Sequence, residues 1–151
     1  MTQPIPEGYS TITPGLVVDN GAEAIDFYRR AFGAEVVRRL EMGGKIMHAE
    51  LRIGDSLVTV NDEMPEYGLK APDREAPVPA SLLIYCEDAD ALHGQAVKAG
   101  ATQINPVSDQ FHGDRAGSVR DPYGHRWAIA THTEDMSEAE MQRRMEEAMA
   151  G

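Results

Sequence analysis

The sequence predicts an α+β protein made of two copies of one β-α-β-β-β module, followed by a C-terminal helix. Three observations carry this reading. First, the chain repeats itself: Ala22-Glu23-Ala24-Ile25 recurs as Ala89-Asp90-Ala91-Leu92, and Gly33-Ala34 recurs as Gly100-Ala101, at a constant offset of 67 positions. That period is too long for a solenoid unit and too short for an independent domain, so it points to two small modules that share a sheet, with a site built between them. Second, each copy sets an apolar-striped helix ahead of alternating, strand-like runs. Third, a stretch holding Pro65, Pro72, Pro77 and Pro79 among charged residues divides the copies, as a linker would.

The elements follow in order. Residues 11–18 form a short extended run, and Asp19 or Asn20 caps the helix after it. Ala24, Phe27, Tyr28, Ala31 and Phe32 lie on one stripe of that helix, and Gly33 ends it. Residues 36–40 read as a strand and 41–44 as a turn. Residues 45–53 alternate, with Met47, Ala49, Leu51 and Ile53 on one face and Ile46, His48, Glu50 and Arg52 on the other. Gly54-Asp55 is a hairpin turn, and 57–60 is the last strand of the first module. In the second module, residues 81–86 form a strand. Asp88 caps a helix striped by Ala89, Leu92, Ala96 and Ala99, which Gly100 ends. Strands follow at 102–104, 117–120 and 126–131, the last two joined by the turn Asp121-Pro122-Tyr123-Gly124. The reading places one domain at 1–132, with modules at about 10–62 and 80–132, and an acidic tail at 133–151. In the tail, Ser137 and Glu140 make a capping box, and Met141, Met145 and Met149 form a soft stripe that packs on the body or on a second subunit.

Composition bounds the function. The 151 residues include 25 Asp and Glu against 14 Lys and Arg, a formal charge of −11. That argues against a nucleic-acid partner, which needs a basic footprint, and favours cationic small molecules. No apolar run approaches the length of a membrane span, and the first ten residues lack the basic and apolar regions of a secretory leader. The single cysteine, Cys86, lies in a strand pattern as a packing residue. A cytoplasmic location is expected.

In this order, the motifs resemble a known family. Val17-Val18-Asp19 leading to Ala24-Ile25-Asp26-Phe27-Tyr28, then Ala31-Phe32-Gly33-Ala34, and Asp121-Pro122-Tyr123-Gly124-His125 are similar to the vicinal oxygen chelate (glyoxalase/bleomycin resistance/dioxygenase) superfamily. Lys45-Ile46-Met47-His48-Ala49-Glu50-Leu51, Asp109-Gln110-Phe111-His112-Gly113-Asp114-Arg115 and Trp127-Ala128-Ile129-Ala130-Thr131-His132 resemble its PhnB-like branch. The resemblance spans about residues 10–132. It implies that the two modules pair into a curved eight-stranded mixed sheet with a concave cup, and that two chains pair as a homodimer. It also implies where a metal would be held in metal-using members: on the first and last strands of each module. Those positions fall on Ile12, Val58 or Thr59, Ser81 and Ala128. None offers an imidazole or a carboxylate, and Thr59 is at most a weak oxygen ligand. No metal cofactor is therefore expected at the usual positions.

Function is then sought where the copies differ. His48 and Glu50 share a strand face two residues apart. Such a pair can act as acid and base, hold a metal away from the usual positions, hydrogen-bond a polar ligand, or satisfy itself beside Arg52. These two are the catalytic candidates. Residues 110–115 form a polar loop placed to fold over the cup mouth, with Gln110, Phe111, His112 and Arg115 as ligand contacts, Phe111 by stacking and Arg115 by binding an anion. Asp114 or Asp109 can instead engage Arg115 internally. Ala128 and Ala130 leave space in the cup, and Ala128 completes the substrate-binding set. His93, His125, His132 and Tyr28 read as structural. The functional expectation is a small-molecule-binding protein that sequesters an organic compound. The alternative is a glyoxalase-type isomerase, lyase or transferase that uses His48 and Glu50.

Overall fold

The computed structural model describes residues 2–151. The first module runs β1 (Gly15–Val18), α1 (Gly21–Phe32), β2 (Glu35–Met42), β3 (Lys45–Ile53) and β4 (Ser56–Asp62). The second runs β5 (Ser81–Tyr85), α2 (Ala89–Ala99), β6 (Thr102–Asp109), β7 (Asp114–Arg120) and β8 (Arg126–His132). A further helix, α3 (Glu138–Ala150), ends the chain.

Local chemistry sets the helix ends. The Asn20 side chain accepts from Glu23 N, and Gly33 takes a left-handed conformation (φ 68°) that only glycine adopts freely. In the second copy, Asp88 accepts from Ala91 N and Gly100 ends the helix. The N-caps Asn20 and Asp88 are 68 positions apart while Gly33 and Gly100 are 67 apart, so α2 is one residue shorter than α1.

The eight strands divide into two four-stranded sheets. Sheet 1 has the order β1-β4-β3-β2 and sheet 2 the order β5-β8-β7-β6, with no ladder between them. In each, the first and last strands of the module pair in parallel and the remaining pairs are antiparallel. The edge strands are β1 and β2 in sheet 1 and β5 and β6 in sheet 2.

The two modules meet through their helices. Gln95 Nε2 donates to the carbonyls of Arg30 and Ala31, each at 3.0 Å, and Arg30 Nη1 donates to Ala99 O at 3.1 Å. Phe27, Tyr28 and Phe32 of α1 pack in one aromatic cluster with Tyr123 and Trp127 of the second module. At its centre lies Asp121, only 4% exposed. Its Oδ2 accepts from Tyr28 Oη and Trp127 Nε1, and its Oδ1 accepts from the backbone N–H groups of Tyr123 and His125. Burial, reinforced by the Asp121 charge, holds the Tyr28 hydroxyl protonated well above the usual tyrosine range. The helix-bearing faces of both sheets are thus turned inward to a shared core, and their opposite faces look outward.

Three sequence expectations need amendment here. The alternation over 45–53 breaks at Met47. The pairing of β2 with β3 steps from Leu40 opposite His48 to Glu41 opposite Ile46, a bulge that turns Ile46 to the helix side, where it is fully buried. Asp62 locks that turn by accepting from Ile46 N at 2.7 Å and from Gly21 N at 2.9 Å. Second, β6 and β7 extend well beyond the expected strands, so the 110–115 loop shrinks to 110–113. Gln110 N donates to Asp114 O at 2.7 Å, and Gly113 (φ 92°) closes the hairpin. Third, α3 fully buries none of its side chains: Met141 and Met145 are half-buried and Met149 is 77% exposed, so the methionine stripe is only partly covered by its own chain.

Candidate ligand site

Strand register decides which side chains share an outward face. On sheet 1, Glu50 lies opposite Thr59 and Arg38, His48 opposite Leu40, and Gly15 opposite Thr59. The structure therefore brings His48 and Glu50 together, with His48 Nε2 3.7 Å from Glu50 Oε2. The partner is Arg38 rather than Arg52: Arg38 Nε lies 3.1 Å from the same oxygen. The Glu50 side chain is 9% exposed, against 44% for His48 and 65% for Arg38. Arg38 balances the Glu50 charge, yet no N–H is aimed at Oε2, which has no hydrogen-bond partner. A buried carboxylate oxygen in that condition is a ready acceptor for an incoming donor.

On sheet 2 the outward face carries, along β8, Arg126, Ala128, Ala130 and His132. Opposite them on β7 stand Arg120, Ser118, Ala116 and Asp114, and on β5 Ser81, Leu83 and Tyr85. This face is a groove of about 510 Å³ lined by Asn105, Ser108, Gln110, His112, Ser118, Arg126 and Ala128 among others. Three of the residues expected to contact ligand, Gln110, His112 and Ala128, line it. Gln110 is itself engaged, its amide donating to Ser108 and to Ala116 O. Phe111 stacks edge-on against the His112 ring at 5.2 Å. Arg115 lies opposite Thr131, off this face. Its Nε and Nη2 form a two-pronged contact with Asp90 at 2.7 and 3.0 Å, and Nη1 reaches Asp109 at 3.3 Å. It pins β7 and β6 to α2 and does not face the groove.

One cluster on the same outward face, of which His112 alone lines the groove, was not foreseen. Asp114, 6% exposed, accepts from His132 Nδ1 at 2.8 Å and from Tyr85 Oη at 2.7 Å, and His112 Nδ1 stands 3.6 Å away. Burial opposes ionisation of Asp114. The bonds from His132 and Tyr85 and the charge of the two imidazoles outweigh burial and hold its carboxyl below the usual carboxylate range. The bond to Asp114, with a second from Nε2 to Asp135 at 2.7 Å, raises the affinity of His132 for its proton. The bond to Asp114 likewise raises that of Tyr85. The sequence signal was present in the alternation Arg126, Ala128, Ala130, His132, which puts His132 on the same face as the alanines.

The two candidate groups do not meet within one chain. His48 and Glu50 stand on sheet 1 and residues 110–113 on sheet 2, with α1 and α2 between the sheets. A separate cleft of about 730 Å³ runs between the modules, bounded by the free edge β5, the 53–58 hairpin, Phe32, Leu92 and Trp127.

The positions that hold a metal in metal-using relatives do not fit one here. Ile12 precedes β1 and is 82% exposed. The register places Thr59 outward, opposite Glu50, and Val58 inward, opposite Leu51. Ser81 and Ala128 complete the set, which offers two hydroxyls, no imidazole and no carboxylate. Among the described residues, no three His, Cys, Asp or Glu side chains are grouped as metal ligands.

Comparison with known proteins agrees with this architecture. Residues 10–129 match the "Glyoxalase/Bleomycin resistance protein/Dioxygenase superfamily". The chain is 38% identical over 138 residues to "Uncharacterized protein Rv0887c" of Mycobacterium tuberculosis, covering 89% of this chain and 81% of that one. An uncharacterized protein of Mycobacterium bovis is equally similar, with 91% of its length covered. Among solved structures, TioX from Micromonospora sp. ML1 superposes with a TM-score of 0.64 at 27% identity, covering 82% of this chain and 98% of TioX. A Bacillus cereus protein described as a putative 3-demethylubiquinone-9 3-methyltransferase, PhnB protein, shares the fold at a TM-score of 0.61 and 20% identity, covering 81% of this chain and 99% of that one. With two β-α-β-β-β modules, an outward face on each sheet and a family match across residues 10–129, the chain belongs to the glyoxalase/bleomycin resistance protein/dioxygenase superfamily.

Proposed function

We propose that this protein binds a small organic molecule on the outward faces of its sheets and holds it without a metal at the positions used by its metal-dependent relatives. The observation that carries this reading is the groove on sheet 2. Ala128 occupies a ligand position of the metal-using members, and Ala116 extends the groove floor beside it. The result is a concave surface of about 510 Å³, a size that suits an organic ligand. Sequestration needs only such a surface. The test is thermal stabilisation of the full chain by a panel of aromatic compounds, before and after exhaustive chelation. Stabilisation that survives chelation supports the reading, and stabilisation that depends on added nickel, zinc or manganese overturns it.

The groove is completed by a second copy of the chain. Each sheet has two edge strands, β1 and β2 in sheet 1 and β5 and β6 in sheet 2, and unpaired edges template strand addition. Leu40, Leu83 and Tyr85 on the outward faces are 53%, 53% and 58% exposed, a large apolar area for a lone chain to leave in water. Pairing two chains edge to edge sets sheet 1 of one beside sheet 2 of the other and brings the His48–Glu50 pair to the groove. Light scattering at micromolar concentration tests this, and a monomer would refute it.

A second reading rests on Glu50. Its buried carboxylate, with one unpartnered oxygen beside His48, is equipped to take a proton from a bound substrate, as a glyoxalase-type isomerase, lyase or transferase requires. Turnover of a glutathione hemithioacetal that is lost in Glu50→Gln supports it, and no turnover leaves sequestration as the function.

A further inference from the structure

The sheet 2 groove has a local charge opposite to that of the molecule. Strand pairing sets Arg120 and Arg126 opposite each other at one end of the outward face. Both are partly buried. Arg120 donates through Nε to Gly124 O at 3.0 Å and through Nη2 to Asp73 O at 2.7 Å. Arg126 Nη2 lies 3.4 Å from Ser118 Oγ. These acceptors are neutral, and among the described residues neither guanidinium forms an ion pair. Arg38, Arg74, Arg115 and Arg144, by contrast, each lie on a carboxylate. Arg126 lines the groove and Arg120 stands opposite it in the strand register, so in a chain of net charge −11 this end carries a positive potential that an anion on Arg126 would relieve.

The hydroxyl beside them is placed for the same task. Ser118 is 4% exposed and lines the groove. Its Oγ accepts from Asn105 Nδ2 at 2.9 Å as well as facing Arg126, so its own proton remains to be donated. Ala128 follows on the same strand face, and its methyl group continues the floor toward His112. The groove therefore offers a cationic, hydrogen-bond-donating end and a flat apolar run next to it.

We propose that the groove selects an organic anion, with a carboxylate or similar oxyanion seated on Arg126 and Ser118 beside Arg120, and a flat body laid over Ala128. This rests on the reading of the groove as the ligand site. It reverses the preference for cations expected from net charge, because the potential at the site is set by the nearest groups.

The probes are 2-naphthoate and its neutral analogue 2-naphthamide, titrated into the full chain and followed by amide resonances. Naphthoate is expected to bind at least about tenfold more tightly than naphthamide, the scale of a charge-assisted guanidinium–carboxylate contact. The shifts centre on Ser118, Arg126 and Ala128. Arg126→Met removes the preference, so that naphthoate binds no more tightly than naphthamide. Arg126→Lys keeps part of it, since a point charge remains without the planar fork. Ser118→Ala weakens naphthoate selectively, and a dispersed spectrum verifies the fold of each variant. Equal binding of both probes in the groove overturns the anion preference and leaves small-molecule binding standing. A preference untouched by Arg126→Met also overturns it. Failure of both probes to bind in the groove overturns this inference and the groove reading together.

Discussion

Tyr28→Phe tests how the two modules are joined. The substitution removes one oxygen from a fully buried ring and changes little else. Its hydroxyl donates to Asp121 Oδ2, which then keeps a single donor, Trp127 Nε1 at 2.9 Å. Hydrogen bonds to charged acceptors contribute about 1.5–3 kcal/mol, against a total stability of about 5–15 kcal/mol for a domain. Urea slopes for small proteins are about 1–3 kcal/mol/M, so the unfolding midpoint should fall by about 1 M. Trp127 is the only tryptophan and belongs to the same junction, so its fluorescence reports the event directly. Tyr123→Phe is the control. Tyr123 Oη reaches only Glu23, at 3.2 Å near the surface, and its loss should cost under about 1 kcal/mol. The raised affinity of Tyr28 for its proton adds a signature at high pH. Above about pH 10 the unfolded chain ionises this tyrosine while the folded chain does not, so stability falls as pH rises, and Tyr28→Phe removes that part of the fall. A midpoint within about 0.2 M of the parent would show that Asp121 does not hold the modules together.

Further expectations follow from the same contacts. His132, whose affinity for its proton is raised by Asp114 and Asp135, contributes stability that is fully present below its unfolded pKa of about 6.5 and is lost as pH rises through the higher folded value. Urea denaturation from pH 6 to 9 should show that loss in the parent and a flatter profile in His132→Gln. The ion pair on sheet 1 should behave asymmetrically. Arg38→Met strands a buried carboxylate and costs about 2 kcal/mol or more, whereas Glu50→Gln relieves its desolvation and stays within about 1 kcal/mol of the parent. Equal costs in thermal unfolding would contradict the burial of Glu50. Gly113→Ala requires a left-handed conformation and drives a methyl group against Glu134 O, so it should destabilise by more than about 1 kcal/mol and release the start of the tail to proteolysis. Arg115→Met should leave ligand affinity unchanged, because Arg115 stands on the helix side of β7.

The module plan was legible because its signals are local. Asn20, Gly33, Asp88 and Gly100 act within a few residues, and the alternation Arg126 to Ala130 is a property of one strand. The face of Ile46 was not legible, because the bulge at Met47 arises from the pairing of β2 with β3 and is locked by Asp62, 16 positions away. The same holds for partners. His48 and Glu50 are neighbours in sequence, and their proximity could be read. Arg38, which balances them, comes from another strand. The Asp114 cluster draws Tyr85, His112 and His132 from three elements, and no spacing rule connects them. Arg115 lies beside the groove residues in sequence, but β7 begins at Asp114, so alternation carries Arg115 to the other face. The separation of the two candidate groups was likewise invisible, because it depends on how α1 packs against α2.

The central claim is that the outward groove binds an organic molecule without a metal at Ile12, Thr59, Ser81 and Ala128. Its most direct test is an amide-resonance titration of the exhaustively chelated full chain with 2-naphthoate. The account predicts saturable shifts at Ser118, Ala128 and neighbouring strand residues, unchanged when nickel, zinc or manganese is restored. Shifts that occur only in the metal-loaded protein, or that map to the cleft around Phe32 and Trp127 instead, would contradict it.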